Sequence, residues 1–316
     1  MPFTLGVDLG GTKVKTALID FRGQILAVNK HPIHPSKGFE GVIADIIKGI
    51  EECLNETRKK AHALGIGIAG QVDWNGVVRH AQNLELENAP LEKILREKLG
   101  VPTVVVNDVR AATWGEWRYG SGKGVNDLVV LFVGTGIGGG VITGGNMLEG
   151  CSNAGGELGH ITIVAKGRKC HCPNMGCLEA YAGGWAIAER AQEAVSFDPK
   201  GGLHLTSLAD GIENITAATV SQAYREGDSL ANQLVEETGE YLAAGIVSII
   251  NAFNPCLLVL GGGVIEGLPE LVPTVEDFIR KRALESAVEN LEVTKAACGD
   301  NAGVIGAAAL AQSRIG

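Results

Sequence analysis

The chain is 316 residues long, 45% hydrophobic and 20% charged, with a net charge of −9. The length suits two lobes rather than one core, and the mix is that of a soluble globular protein. The acidic balance offers no basic stripe for a phosphate backbone, which argues against nucleic acid as a partner.

From the N-terminus, Met1-Pro2-Phe3-Thr4 starts a strand almost at once, with no charged n-region or apolar h-region, so a cytoplasmic location is expected. Leu5–Asp8 and Lys13–Asp20 read as two strands joined by the turn Leu9-Gly10-Gly11-Thr12. Val14, Thr16 and Leu18 fall on one face of the second strand, and Lys13, Lys15 and Ala17 on the other. Gly23–Lys30 adds a third strand. Val42, Ile43, Ile46, Ile47, Ile50, Cys53 and Leu54 keep helical spacing within Phe39–Lys60. A strand at Leu64–Ala69 and a short helix at Pro90–Leu99 follow. A buried strand at Thr103–Val106 ends in Asn107-Asp108 and leads into an Ala-rich helix from Val109.

Beyond Tyr119–Gly124 the opening pattern returns: a strand at Asp127–Val133, a turn at Gly134–Gly139 and a returning strand at Gly140–Thr143. The repeat predicts a pair of similar lobes. Leu230–Phe253 reads as a long apolar helix, Cys256–Leu260 as a buried strand ending in Gly261-Gly262-Gly263, and Asn301–Gln312 as a closing helix. The longest apolar runs, Leu128–Val133 and Cys256–Leu260, have strand length, so no membrane span is expected. The expected division is a small lobe over residues 1–118, with a C-terminal helix at about 303–316 packing back on it, and a large lobe over 119–302.

Glycine is the compositional outlier, with 45 residues in short bursts at strand ends. In Asp8-x-Gly10-Gly11-Thr12-Lys13 and Gly134-Thr135-Gly136-x-Gly138-Gly139, side-chain-free backbone N–H groups and a Thr hydroxyl can grip phosphate oxygens. Asp8 adds a carboxylate for a hydrated Mg²⁺. Neither run is a P-loop. Gly134, Gly136 and Gly139 do spell the dinucleotide fingerprint, but a strand and turn follow where that fingerprint needs a helix. Gly261–Gly263 suits an adenosine-packing loop or a plain strand-to-helix turn.

Asp108 stands where an α/β sheet presents its site, and a carboxylate there can take the proton of an attacking hydroxyl. It can equally N-cap the helix that follows. Neighbouring Asn107 carries donor and acceptor groups suited to a hydroxyl-rich ligand. His160, Cys170, Cys172 and Cys177 are one imidazole and three thiols in tight spacing, able to close a four-ligand structural zinc site. Structural zinc binds peptides with roughly 10–16 kcal/mol of apparent energy, enough to order a Gly-rich loop. Three unrelated thiols are the competing reading. The odd total of seven cysteines fits a reducing compartment rather than a disulfide framework. Glu157 and Glu179 flank this loop and could accept hydrogen bonds from vicinal diols.

Taken together, Asp8–Lys13, Asn107-Asp108, Gly134–Gly139, Glu157-x-Gly159-His160, Cys170-x-Cys172…Cys177-x-Glu179 and Gly261–Gly263 resemble the ROK family (repressor, open reading frame, kinase) of the actin-like sugar kinases. The resemblance runs in family order over nearly the whole chain. It implies a two-lobed α/β actin-like ATPase (ribonuclease H-like) fold with the active site in the cleft between lobes. It also implies an ATP-dependent hexose kinase acting at the 6-hydroxyl, with glucose preferred and N-acetylmannosamine or N-acetylglucosamine as the alternative. Asp108 would be the general base, and Gly70, Asn83, Asn107, Glu157, His160 and Glu179 would lie against the sugar. Asp8, Gly10, Gly11, Thr12, Lys13, Gly134, Thr135, Gly136, Gly138, Gly139, Gly261, Gly262 and Gly263 would serve Mg-ATP. His160, Cys170, Cys172 and Cys177 would hold structural zinc. Pro173 stands where the family segment has Gly. The start of the chain at the first phosphate strand resembles the kinase branch rather than relatives that carry a DNA-binding domain, and relatives are homodimers or homotetramers. A sugar sensor without turnover is the rival reading; Asp108 and both phosphate turns speak against it.

Overall fold

Alternating buried side chains and a pair of glycine hairpins lay out the framework in the computed structural model, which describes residues 3–314. Contacts divide the chain into two units. The first runs up to Val125 and takes in Met147–Gly156 and the chain from Ala296 onward; the second is Asn126–Asn146 with Glu157–Lys295.

In the first unit, β1 (Phe3–Leu9), β2 (Lys13–Ile19) and β3 (Ile25–Pro32) form an antiparallel meander, followed by α1 (Gly38–Thr57) and β4 (Ala61–Ile68). Helix α1 stops before Lys60 because Arg58 turns left-handed, at φ 53°. Three short strands follow: β5 (Gln71–Val72), β6 (Val78–Ala81) and β7 (Leu86–Ala89) make a separate antiparallel sheet. Their runs of two to four residues are too short to show a period of two, so the sequence reading passed over them. Next come α2 (Leu91–Leu99), β8 (Thr103–Asn107) and α3 (Asp108–Tyr119). The main sheet has the order β3-β2-β1-β4-β8, with β4 parallel to both neighbours.

The period-two pattern in β2 holds as read. Val14 and Leu18 join the core with α1, while Ala17 and Ile19 pack with Val304 and Ala308 of the closing helix, which runs over Ala302–Ser313. That helix lies directly on the sheet backbone. A Cβ on Gly65 of β4 would come within 1.8 Å of the Ala307 carbonyl oxygen, so only glycine permits the approach.

The second unit repeats the plan. Strands β9 (Leu128–Val133), β10 (Ile137–Thr143) and β11 (Asn146–Met147) are followed by helices α4 (Glu179–Ala182), α5 (Gly184–Phe197), α6 (Leu203–Ala209), α7 (Ala217–Arg225) and α8 (Ser229–Phe253). Then come β12 (Leu257–Gly261), α9 (Gly263–Gly267), α10 (Leu271–Arg282), α11 (Glu285–Val288) and β13 (Glu292–Lys295); the closing helix is α12. The sheet order β11-β10-β9-β12-β13 mirrors that of the first unit, and β9 and β10 are antiparallel. Leu234, Leu242, Ile246 and Ile250 form the buried face of α8.

One boundary differs from the sequence reading. Strand β10 begins at Ile137, three residues before Gly140, and Gly138 and Gly139 pair with Phe132 and Leu131. The antiparallel ladder needs only backbone groups, so glycines can extend it. The turn shrinks to Gly134–Gly136. A strand after these glycines also removes the structural context that the dinucleotide fingerprint requires.

Candidate active site

Strand β8 delivers Asn107 and Asp108 at its C-terminal end. Asn107, with extended backbone at φ −60° and ψ 144°, is the N-cap of α3: its Oδ1 accepts from the Arg110 N–H at 3.1 Å. The capping role considered for Asp108 therefore falls to Asn107. Asp108 is the first residue of α3, where its Oδ1 accepts from the Val109 N–H at 2.9 Å. Asn107 also donates through Nδ2 to the Gly70 carbonyl at 3.3 Å, which joins two of the residues assigned to the sugar. Exposed Asn83 sits against the first phosphate turn, where a Cβ on Gly11 would come within 2.6 Å of its Cβ.

That turn is closed by the Gly10 N–H donating to the Lys13 carbonyl at 3.0 Å, and Thr12 and Lys13 are exposed. Asp8 is the penultimate residue of β1, just before the turn. Burial first, and the charge of Asp108 second, push the Asp8 carboxyl up to about 6, with Lys15 and Lys30 pulling the other way. A carboxylate held so unfavourably gains from a cation. The shift fixes the sign of a stability effect. The folded chain binds this proton more tightly than the unfolded one, so the contribution is present below pH 3.8 and is lost as pH rises through about 6. Asp8→Asn should therefore raise the melting temperature at pH 8, by the equivalent of ~2–3 kcal/mol in magnesium-free buffer, with no gain at pH 4. Melts at both pH values check this; equal shifts at pH 4 and pH 8 would count against it.

The second glycine turn is braced from several sides. The Gly134 N–H donates to Gly136 O at 2.9 Å, and the Gly184 and Trp185 N–H groups donate to Gly134 O and Thr135 O at 2.9 and 3.0 Å. Glu179, the first residue of α4, accepts from the Ile137 N–H at 2.7 Å and from the Trp185 indole at 3.3 Å. The carboxylate assigned to the sugar thus also clamps the turn. A Cβ on Gly136 would come within 2.4 Å of its Oε2.

Beside this turn opens a cavity of about 710 Å³, walled by Gly134, Thr135, Trp185, Ala188, Thr216, Ser221, Arg225, Gly263, Val264 and Leu268. Its size suits a small molecule. One end offers the turn's backbone; the walls offer an indole and aliphatic side chains on which a flat base can rest. Arg225 donates to Ser221 Oγ and to the Gly267 carbonyl, both at 3.2 Å, so its guanidinium is oriented. Of the three glycines read after β12, Gly263 lies on this wall, Gly261 ends the strand and Gly262 turns at φ 92°. Trp185 and the residues from α7 and α9 carry no motif. Gly183-Gly184 just before Trp185 was the one available signal.

Glu157 precedes a short 3₁₀ turn, Leu158–His160. His160 Nδ1 lies 3.7 Å from Cys170 Sγ, Cys172 Sγ lies 3.6 Å from Cys177 Sγ, and the four ligand atoms all fall within 4.8 Å of one another. Zinc–sulfur bonds of about 2.3 Å give a tetrahedron with edges of about 3.8 Å, so the donor set and its spacing fit zinc. The separation is too long for a disulfide. Burial pushes the Cys170 thiol up to about 12. His171, between two of the thiols, stacks on Trp185 with centroids 4.0 Å apart and planes 23° apart, which joins the metal loop to the cavity wall.

The ROK family profile matches residues 4–314. The chain belongs to the ROK family. It is 33% identical to a glucokinase of Streptomyces coelicolor over 315 residues, 99% of this chain and 98% of the relative. The crystal structure of a ROK family glucokinase from Streptomyces griseus in complex with glucose and AMPPNP superposes with a TM-score of 0.85 at 33% identity, covering 98% of this chain and 99% of that one. The ROK hexokinase from Thermus thermophilus follows at 0.83 and 31%, covering 99% of both chains. The fold is the actin-like ATPase fold expected from the motifs. Among the described residues no helix is long and apolar enough to cross a membrane.

Proposed function

We propose that this ROK-family chain transfers the γ-phosphoryl group of ATP to the 6-hydroxyl of glucose. The observation that carries the reading is full-length similarity to glucokinases combined with Asp108 on the first turn of α3, at the end of a buried strand. The chain is an ATP-dependent glucose kinase. Asp108 accepts the proton of the 6-hydroxyl as its oxygen bonds to the γ-phosphorus and the bond to the β-phosphate oxygen breaks, leaving ADP. Asn83, Asn107, Glu157, His160 and Glu179 hold the other sugar hydroxyls, and the turn at Gly70 lies against the ring. Backbone N–H groups of Gly11–Lys13 and of Thr135 and Gly136 hold phosphate oxygens, and the cavity beside Trp185 takes the adenosine.

Magnesium that arrives with ATP neutralises the charge on the phosphates, and Asp8 is the carboxylate placed to hold it. His160, Cys170, Cys172 and Cys177 hold a structural zinc that orders the loop carrying Glu157 and Glu179. A cytoplasmic homodimer or homotetramer completes the reading.

A panel of glucose, mannose, fructose, allose and both N-acetylhexosamines with ATP, followed by ADP release, tests the substrate. Glucose should lead in kcat/KM by about tenfold or more. A lead for N-acetylmannosamine or N-acetylglucosamine would move the assignment to the amino-sugar kinases, and no ADP release with any sugar would favour the sensor. Light scattering of the same preparation should read two or four times 32.9 kDa.

A further inference from the structure

Arg110 is 5% exposed, and an arginine keeps its charge in a protein, so burial obliges it to find acceptors. It finds them on one stretch of chain. Nη1 donates to Asn153 Oδ1, and Nη2 donates to the carbonyls of Asn153 and Gly155 at 3.0 and 3.3 Å. Asn153 passes the connection on, its Nδ2 donating to the Val72 carbonyl at 3.0 Å, two residues past the Gly70 turn. The same stretch is held at Cys151, whose carbonyl accepts from the Trp74 indole at 3.0 Å. Asn153 adopts a left-handed backbone, at φ 60°, which asparagine tolerates better than most residues. Two residues past Gly155 the chain reaches Glu157. At its other end, Arg110 belongs to the first turn of α3 with Asp108, and its own N–H donates to Asn107 Oδ1.

We propose that Arg110 is a positioning residue for the sugar: by gripping Asn153 and Gly155 it fixes the stretch of chain that runs on into Glu157. The inference rests on the assignment of Glu157 to a sugar hydroxyl. A planar fork suits this task better than an ammonium, because it reaches a side-chain oxygen and two carbonyls from one rigid group.

The test compares Glu157→Gln, Asn153→Gly, Arg110→Lys and Arg110→Met in steady-state kinetics with glucose and ATP varied separately. Asn153→Gly removes both side-chain bonds yet suits the left-handed backbone, so it remains informative if Arg110→Met fails to fold. Asn153→Gly and Arg110→Met should raise the glucose KM by about tenfold with the ATP KM within about twofold of the parent chain, and Arg110→Lys should lie between. A glucose KM left unchanged by Asn153→Gly and Arg110→Met, while Glu157→Gln raises it, would overturn the role of Arg110 alone. If Glu157→Gln itself leaves the glucose KM unchanged, the assignment of Glu157 falls and the inference with it. Glucose and ATP KM values rising together would mark a general loss of structure and also overturn it.

Discussion

Asp108→Asn lowers kcat for glucose phosphorylation by about 10²–10⁴-fold while the glucose KM stays within a few-fold of the parent chain. The asparagine keeps the shape and still accepts a hydrogen bond from the Val109 N–H, so α3 starts where it did. Helix capping is not at stake, because Asn107 holds the Arg110 N–H. Under the proposed function, what is lost is the group that takes the proton from the attacking hydroxyl. The variant also removes the second-largest influence on Asp8, the neighbouring negative charge, so the Asp8 carboxyl should fall from about 6 toward its ordinary value. Initial-rate kinetics with a direct glucose-binding measurement separate the two effects. Turnover that survives within about tenfold would remove Asp108 from the role of base.

Cys177→Ala should be the most damaging single change to stability. Cys177 is fully buried, and Glu179 two residues on accepts from the N–H of Ile137, the first residue of β10 after the Gly134–Gly136 turn. Losing one of four ligands opens the tetrahedron, and a share of the roughly 10–16 kcal/mol associated with structural zinc goes with it. Metal analysis should fall from close to one zinc per chain to near none, and the melting temperature should drop by more than about 10 °C. The indole emission of Trp185 should shift as the His171 stack loosens. A variant that retains its zinc and the parent melting temperature would return the three thiols to the status of unrelated cysteines.

How much of this was legible beforehand follows from the range over which each signal acts. The cluster of one histidine and three cysteines was readable because its members lie within eighteen residues, His160 to Cys177, and their chemistry is rare in such spacing. The hairpins of both units were readable because buried strands and glycine turns alternate locally. Period alone could not place the start of β10, since glycines satisfy a ladder as well as a turn. Nor could spacing decide between base and cap for Asp108; the structure gives the cap to Asn107, whose side chain can equally accept from the first helical N–H groups. The cavity wall stayed invisible for a different reason. Trp185 comes from α5, Thr216, Ser221 and Arg225 from α7 and its cap, and Leu268 from the end of α9, and only the tertiary fold brings them together. The same holds for Arg110 and Asn153, which are forty-three residues apart.

A crystal grown with glucose and a non-hydrolysable ATP analogue puts the central claim to its most direct test. The 6-hydroxyl oxygen should lie at about 2.6–3.2 Å from the Asp108 carboxylate, with the γ-phosphate on its far side. A glucose bound with that hydroxyl well beyond hydrogen-bond reach of Asp108, or a triphosphate seated away from the Gly134–Gly136 turn, would contradict the account.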